Sequence, residues 1–314
     1  MGPVTVAAAA MSAAWGAVHL RAPAVQAWAP SRLGAANGTR LHARVGGDPG
    51  RGVLLLHGLV STGDVFGQAF DVLTASHRVV VPDLLGFGRS MDERRTTFTL
   101  ADHLDALDEL ADRTGLLGGR IVIGAHSMGS ALALHWAARH ADDVDAVVCW
   151  GAPMYPSPHA ASTQLTGSAM ARLFVLDTRW AEQACAMNCR HRTAAGWLAA
   201  AIAPTLPIQL ARQVPRHTWP AYRDALNGLV VHADWRQLLT NHTRAGVPVH
   251  LVWGRRDHVG DAGWARNVAA GHADTSVELV DDADHLLPLT HPELCRAQLL
   301  TSMASPPTPA HEVR

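Results

Sequence analysis

Two kinds of hydrophobic pattern alternate along this chain. Short runs, most of them rich in Val, Ile and Leu, fall near 31–36, 40–45, 52–56, 77–81, 119–124, 144–150, 247–253 and 276–280. Their length and β-branched content predict strands, and several are apolar at nearly every position, as strands buried on both faces are. Between them, longer stretches predict helices near 64–75, 99–114, 128–140, 262–271 and 291–300. Strand–helix alternation predicts an α/β fold, a mostly parallel central sheet with helices on both faces. The alternation stops between Gly151 and about Gly246. That stretch holds helical segments, Pro204, Pro207, Pro215 and Pro220, and Trp180, Trp197, Trp219 and Trp235, but no strand-like run. It predicts a helical cap over 153–246, inserted after the sixth strand into a core made of 29–152 and 247–304. Such a Met- and Trp-rich cap is expected to roof an apolar pocket; an ordinary packing layer is the alternative.

Composition narrows the possible chemistry. Apolar residues make up 48% of 314, enough for a large core, and a formal net charge of −1 argues against nucleic acid as a partner. Every basic residue is arginine. Without lysine the chain holds neither a Walker-type phosphate lysine nor a Schiff-base lysine. Cys149, Cys185, Cys189 and Cys295 do not form a disulfide framework for a chain of this length. Cys185 and Cys189, with His191 nearby, offer at most an incomplete metal site, so no metal and no cofactor are expected.

The chemistry concentrates in Val122-Ile123-Gly124-Ala125-His126-Ser127-Met128-Gly129-Ser130. A buried strand turns into an Ala/Leu-rich helix within a few residues, with small Ala125 and Gly129 two places either side of the serine. That turn forces Ser127 outward at the sheet edge above a helix N-terminus, the geometry an attacking hydroxyl needs. A serine that merely caps the helix is the plainer alternative. Other strands end in a similar way. The run from Gly52 leads to His57-Gly58-Leu59, that from Arg78 to Asp83 and a Gly-rich turn, that from Val247 to Asp257, and that from Ser276 to Asp284-His285. Ser, Asp and His, each just beyond a strand, follow the chain order of a nucleophile, acid and base on one sheet edge.

Together these motifs resemble the α/β-hydrolase superfamily, over about residues 31–300. The resemblance implies Ser127 as nucleophile, His285 as its base and Asp257 as the acid that orients the imidazole. It assigns the oxyanion donors to the backbone N–H groups of Leu59 and Met128. His57, His126, His258 and His291 are rivals for the base, but His285 alone follows the final strand. Asp261, Asp281, Asp282 and Asp284 are rivals for the acid, most of them in polar turns where aspartate is common. Some members carry the acid after the sixth strand, where this chain reads Gly151-Ala152-Pro153. Two positions depart from the usual pattern: Asp284 stands where glycine often precedes the histidine, and Thr290 where a glutamate often follows.

The expected activity is that of a cofactor-free serine hydrolase acting on a small or medium apolar ester. The alternatives are a carbon–carbon bond hydrolase of vinylogous diketones, a perhydrolase-type enzyme and a triad-retaining ligand sensor. The first would need cations turned inward from the cap, Arg172, Arg179, Arg190 or Arg192 among them. The chain ends are the least readable parts. Met1 to Leu20 is alanine-rich and without Asp, Glu, Lys or Arg, weakly apolar for a span and without the basic n-region of a secretory signal. Residues 1–28 therefore read as a loosely packed helix, a weak anchor or an overextended start before Met11, and the protein as cytoplasmic. The proline-rich residues 305–314 read as a disordered tail.

Overall fold

The computed structural model describes residues 25–304 apart from 26, 37 and 168–178. The expected tail, the arginine at 172 and nearly all of the N-terminal extension lie outside the described residues. One sheet holds β1 (Gly34–Ala36), β2 (Ala43–Gly46), β3 (Gly52–Leu56), β4 (Arg78–Pro82), β5 (Ile121–His126), β6 (Val144–Trp150), β7 (Val249–Gly254) and β8 (Thr275–Val280). Their order is β1-β2-β4-β3-β5-β6-β7-β8. Strands β3 to β8 run parallel, while β1 and β2 pair antiparallel at one edge.

Alternate side chains of the continuous apolar runs feed two separate cores. Leu54, Leu56, Ile121, Ile123, Val147 and Cys149 pack on one face, against α1 (Leu100–Arg113) and α2 (Met128–Arg139). Val53, Leu55, Val122, Val148 and Trp150 pack on the other. The helix at the chain's end (Pro292–Ala304) covers that second face with Cys295, Leu299 and Met303, and Val25 is buried there as well. Burial on both sides is what makes these strands apolar throughout.

The predicted helix over 64–75 is instead two short 3₁₀ pieces, Gly63–Phe66 and Gln68–Ala75, broken at Gly67. Gly67 has φ +53°, and a Cβ there would stand 2.6 Å from Trp28 Nε1 and 2.8 Å from the Ala29 carbonyl. The chain arriving from the N-terminus thus occupies the space a continuous helix would need.

Between β6 and β7 the described residues are helical, with α3 (Pro158–Leu165), α4 (Arg179–Arg190), α5 (Arg192–Ile202), α6 (Trp219–Leu226) and α7 (Trp235–Ala245). The last of these packs beside α2, and His242 Nε2–H donates to the Leu134 carbonyl at 2.8 Å. Among the described residues, no helix is long and apolar enough to cross a membrane.

The strand order fixes where chemistry can sit. The connection after β3 leads to β4 on one side, and that after β5 leads to β6 on the other. Their divergence opens a crevice at the C-terminal ends of β3 and β5, where ligands bind in open parallel sheets. The segments that leave these two strands are His57-Gly58-Leu59 and Ser127-Met128.

Candidate active site

Ser127 occupies the turn between β5 and α2 with φ +54° and ψ −125°, a conformation that costs a non-glycine residue about 1–3 kcal/mol. The surroundings hold it there. Its N–H donates to the Trp150 carbonyl at 2.9 Å. A Cβ on Gly129 would meet the His57 carbonyl at 2.7 Å, and one on Gly58 would meet Ser127 Cβ at 2.9 Å. The β3 exit strand and the serine turn are therefore in direct contact, which is why small residues flank the serine.

The predicted residues come together in one hydrogen-bonded line. Ser127 Oγ–H donates to His285 Nε2 at 3.0 Å, and His285 Nδ1–H donates to Asp257 Oδ2 at 2.9 Å. This tautomer is the one that satisfies both neighbours. The Asp257 side chain is 1% exposed, and its Oδ1 accepts the Val259 N–H at 2.7 Å, which fixes the carboxylate plane. Gly151 lies against this pair: at φ +62°, an added Cβ would stand 2.9 Å from His285 Nδ1 and 3.1 Å from Asp257 Oδ2. The position after the sixth strand is a passage for the pair rather than a second seat for the acid.

The rivals are occupied elsewhere. Asp261 caps Ala262–Ala269 by accepting the Trp264 N–H, Asp281 pairs with Arg255, and Asp282 pairs with His291. The two departures from the usual pattern are also accounted for. Asp284 Oδ1 accepts the Leu286 N–H within its own turn, and Thr290 Oγ1–H donates to the Leu286 carbonyl.

His57 fixes the segment that carries Leu59. Its Nδ1–H donates to the Gly58 carbonyl and its Nε2 accepts the Leu84 N–H, both at 2.8 Å. Those partners require a neutral ring, and burial lowers its pKa accordingly. Asp83 Oδ1 accepts the Gly63 N–H at 2.8 Å, so the β4 exit clamps the loop at both ends. Between the clamps, Val60 has φ +50°, an outlier for a β-branched residue.

His126 has a function that sequence reasoning missed. Its Nε2–H donates to the His285 carbonyl at 2.8 Å, and the two rings lie 4.9 Å apart. Burial, aided by the charge of His285, pushes its pKa down to about 3, so the ring stays neutral and holds the His285 backbone in place. Adjacency to the serine was the available signal, but the bond spans 159 residues.

The helical insertion is tied to the same edge of the sheet. Gln164 Nε2–H donates to the His258 carbonyl at 2.7 Å, one residue past Asp257. Thr62 Oγ1–H donates to Gln213 Oε1 at 2.6 Å, Gln213 Nε2–H to Asp64 Oδ2 at 2.9 Å, and the Gly88 N–H to the Arg216 carbonyl at 2.8 Å. Burial raises the Asp64 carboxyl, but hydrogen bonds from Arg89 and Gln213 outweigh it and hold the group below its ordinary value. The tryptophans expected to roof a pocket divide. Trp235 is in the core and Trp219 packs on Tyr222, whereas Trp197 lies beneath Arg212 and Trp180 is exposed. A groove of about 400 Å³ near Trp28, Phe66 and Leu289 is not lined by Ser127, Asp257 or His285.

The sequence model of the alpha/beta hydrolase fold family matches residues 52–176, which carry β3 through the serine turn. The chain has the α/β-hydrolase fold. The chain is 26% identical over 255 residues to the probable lysophospholipase BODYGUARD 4 of Arabidopsis thaliana, matching 76% of this chain and 60% of that protein. The match therefore spans less than two thirds of that relative's length. The chain is also 21% identical to the monoacylglycerol lipase abhd6-A of Xenopus laevis, over 82% of this chain and 77% of that one. A solved esterase from Thermogutta terrifontis shares its fold, with a TM-score of 0.62 at 22% identity, covering 84% of this chain and 95% of the esterase.

Proposed function

We propose that this α/β-hydrolase is a serine hydrolase that cleaves a small or medium apolar carboxylic ester through an acyl-enzyme. The observation that carries the reading is the line Ser127 Oγ, His285 Nε2, His285 Nδ1, Asp257 Oδ2, with no bond longer than 3.0 Å. In this reading His285 Nε2 takes the serine proton as Oγ attacks the carbonyl carbon, then delivers it to the leaving alcohol. Water repeats the sequence on the acyl-enzyme, with His285 again as base. Asp257 keeps the imidazole in the Nδ1–H tautomer and offsets the imidazolium charge. The Met128 N–H, at the first turn of α2, and the Leu59 N–H, on the loop pressed against Ser127, would receive the oxyanion. Removing one such donor costs about 2.7–4 kcal/mol of transition-state stabilisation. We further take 153 to about 218 as the cap over this edge, since Gln164 and Gln213 tether its two ends to loops at the strand termini.

Carbon–carbon cleavage would need cations gripping a dienoate. Arg179 and Arg190 are exposed, and Arg192 pairs with Glu93 at 2.7 Å, which favours the ester reading. A panel of p-nitrophenyl esters of increasing chain length tests it. Turnover should be measurable on short to medium chains and be lost in Ser127→Ala with the fold retained. Efficient cleavage of a vinylogous diketone with negligible activity across the panel would reverse the ranking. Turnover far below about 1 per second on every ester would favour the sensor.

A further inference from the structure

Helices α4 and α5 bury the wrong residues for an ordinary soluble hairpin. A helix packed on a protein normally buries its large apolar side chains and exposes polar ones. Here α4 buries Ala181 and Cys185, and α5 buries Gly196 and Ala200, each pair one turn apart. Apart from Trp197, which Arg212 covers, their large apolar side chains face out instead: Trp180 is 77% exposed, Met187 65%, Leu198 56% and Ile202 65%. Trp180 and Met187 are seven residues apart and Leu198 and Ile202 four, so each pair shares one helical face. Among the described residues only Val72 and Leu300 are comparable, and they lie elsewhere in the chain. Two packed helices thus present four of the six exposed large apolar side chains among the described residues.

The charge around them is as one-sided. Residues 179–216 contain five arginines and one glutamate in a chain whose net charge is −1. Arg192 is used by Glu93, while Arg179, Arg190, Arg212 and Arg216 are exposed and form no ion pair among the described residues. Exposed Trp, Met, Leu and Ile flanked by unpaired cations match a surface that sinks apolar side chains below a layer of negative headgroups. We propose that α4 and α5 dock this protein on an anionic lipid bilayer, lying in its interface rather than crossing it. A protein groove would explain the apolar side chains without explaining the cations, and a second copy would set like charges face to face. The inference is independent of the reaction at Ser127.

The test is co-sedimentation of the full chain with vesicles of phosphatidylcholine mixed with phosphatidylglycerol, and of phosphatidylcholine alone. Binding is expected to the mixed vesicles and to weaken with added salt. Replacing Trp180, Met187, Leu198 and Ile202 together by serine should abolish it, while Val72→Ser, equally exposed elsewhere, leaves it unchanged. Arg190→Glu should weaken it by about tenfold. Circular dichroism and turnover of a water-soluble aryl ester would show that the variants remain folded. No binding by the wild type, equal binding by the quadruple variant, or equal binding to neutral vesicles would overturn the proposal. So would a solution dimer that the quadruple variant dissolves, because that would assign the face to a second copy.

Discussion

At the scale of single residues, the chain contains several histidines near the serine with different duties, and their partners separate them. His285 alone spans Ser127 and Asp257, whereas His57 and His126 spend their ring nitrogens on backbone groups. His57→Ala should therefore lower kcat by about two orders of magnitude with little change in KM, because it releases the loop carrying the Leu59 N–H. The acid limb of the pH–rate profile should survive in His57→Ala and vanish in His285→Ala. Loss of that limb in His57→Ala instead would transfer the base to His57. Ser127, Asp257 and His285 were legible as candidates because each follows, within five residues, a strand that its own apolar run announces. His126 was not, since nothing local in a sequence reports a bond to a carbonyl on a distant loop.

Elements were legible where burial alone decides them. Strands β3, β6 and β8 lie within a residue of their apolar runs. The helix expected at 64–75 failed because long-range contact with Trp28 and Ala29 overrides its local pattern at Gly67. The packing of α7 was not legible either: it is amphipathic like its neighbours, and only its contact with α2 shows what it lies against. Close approach between elements also makes a sharp prediction. In Gly129→Ala the new methyl would meet two backbone carbonyls, His57 at 2.7 Å and Leu56 at 2.8 Å. Urea denaturation should show a loss of about 1–3 kcal/mol, with activity falling as the serine turn shifts. Gly228→Ala, where nothing stands within 4 Å, should be neutral or gain up to about 1 kcal/mol. Equal stability of the two variants would refute the close packing of the turn.

Across the whole molecule, buried neutral histidines set the acid limit of stability. Burial lowers His126 to about 3, and His103 and His217 to about 4. The unfolded chain takes up these protons near the ordinary value of about 6.5, while the native rings stay neutral. Stability is therefore full above about 6.5 and falls as pH drops toward 4 for His103 and His217, and toward 3 for His126. Each group contributes a loss of about 1.4 kcal/mol per pH unit inside its window. Thermal melts should show Tm falling steeply below about pH 6.5. His103 has no partner on either ring nitrogen among the described residues, so His103→Leu should raise Tm and flatten the fall. A Tm that is level from pH 7 to about 4 would contradict this.

The central claim, that the fold presents Ser127 as an activated nucleophile, is tested most directly by reaction with a fluorophosphonate followed by peptide mass mapping. A single adduct on Ser127 is predicted, forming orders of magnitude more slowly in His285→Ala and not at all in Ser127→Ala. A folded protein that does not react, or an adduct on another residue, would contradict it.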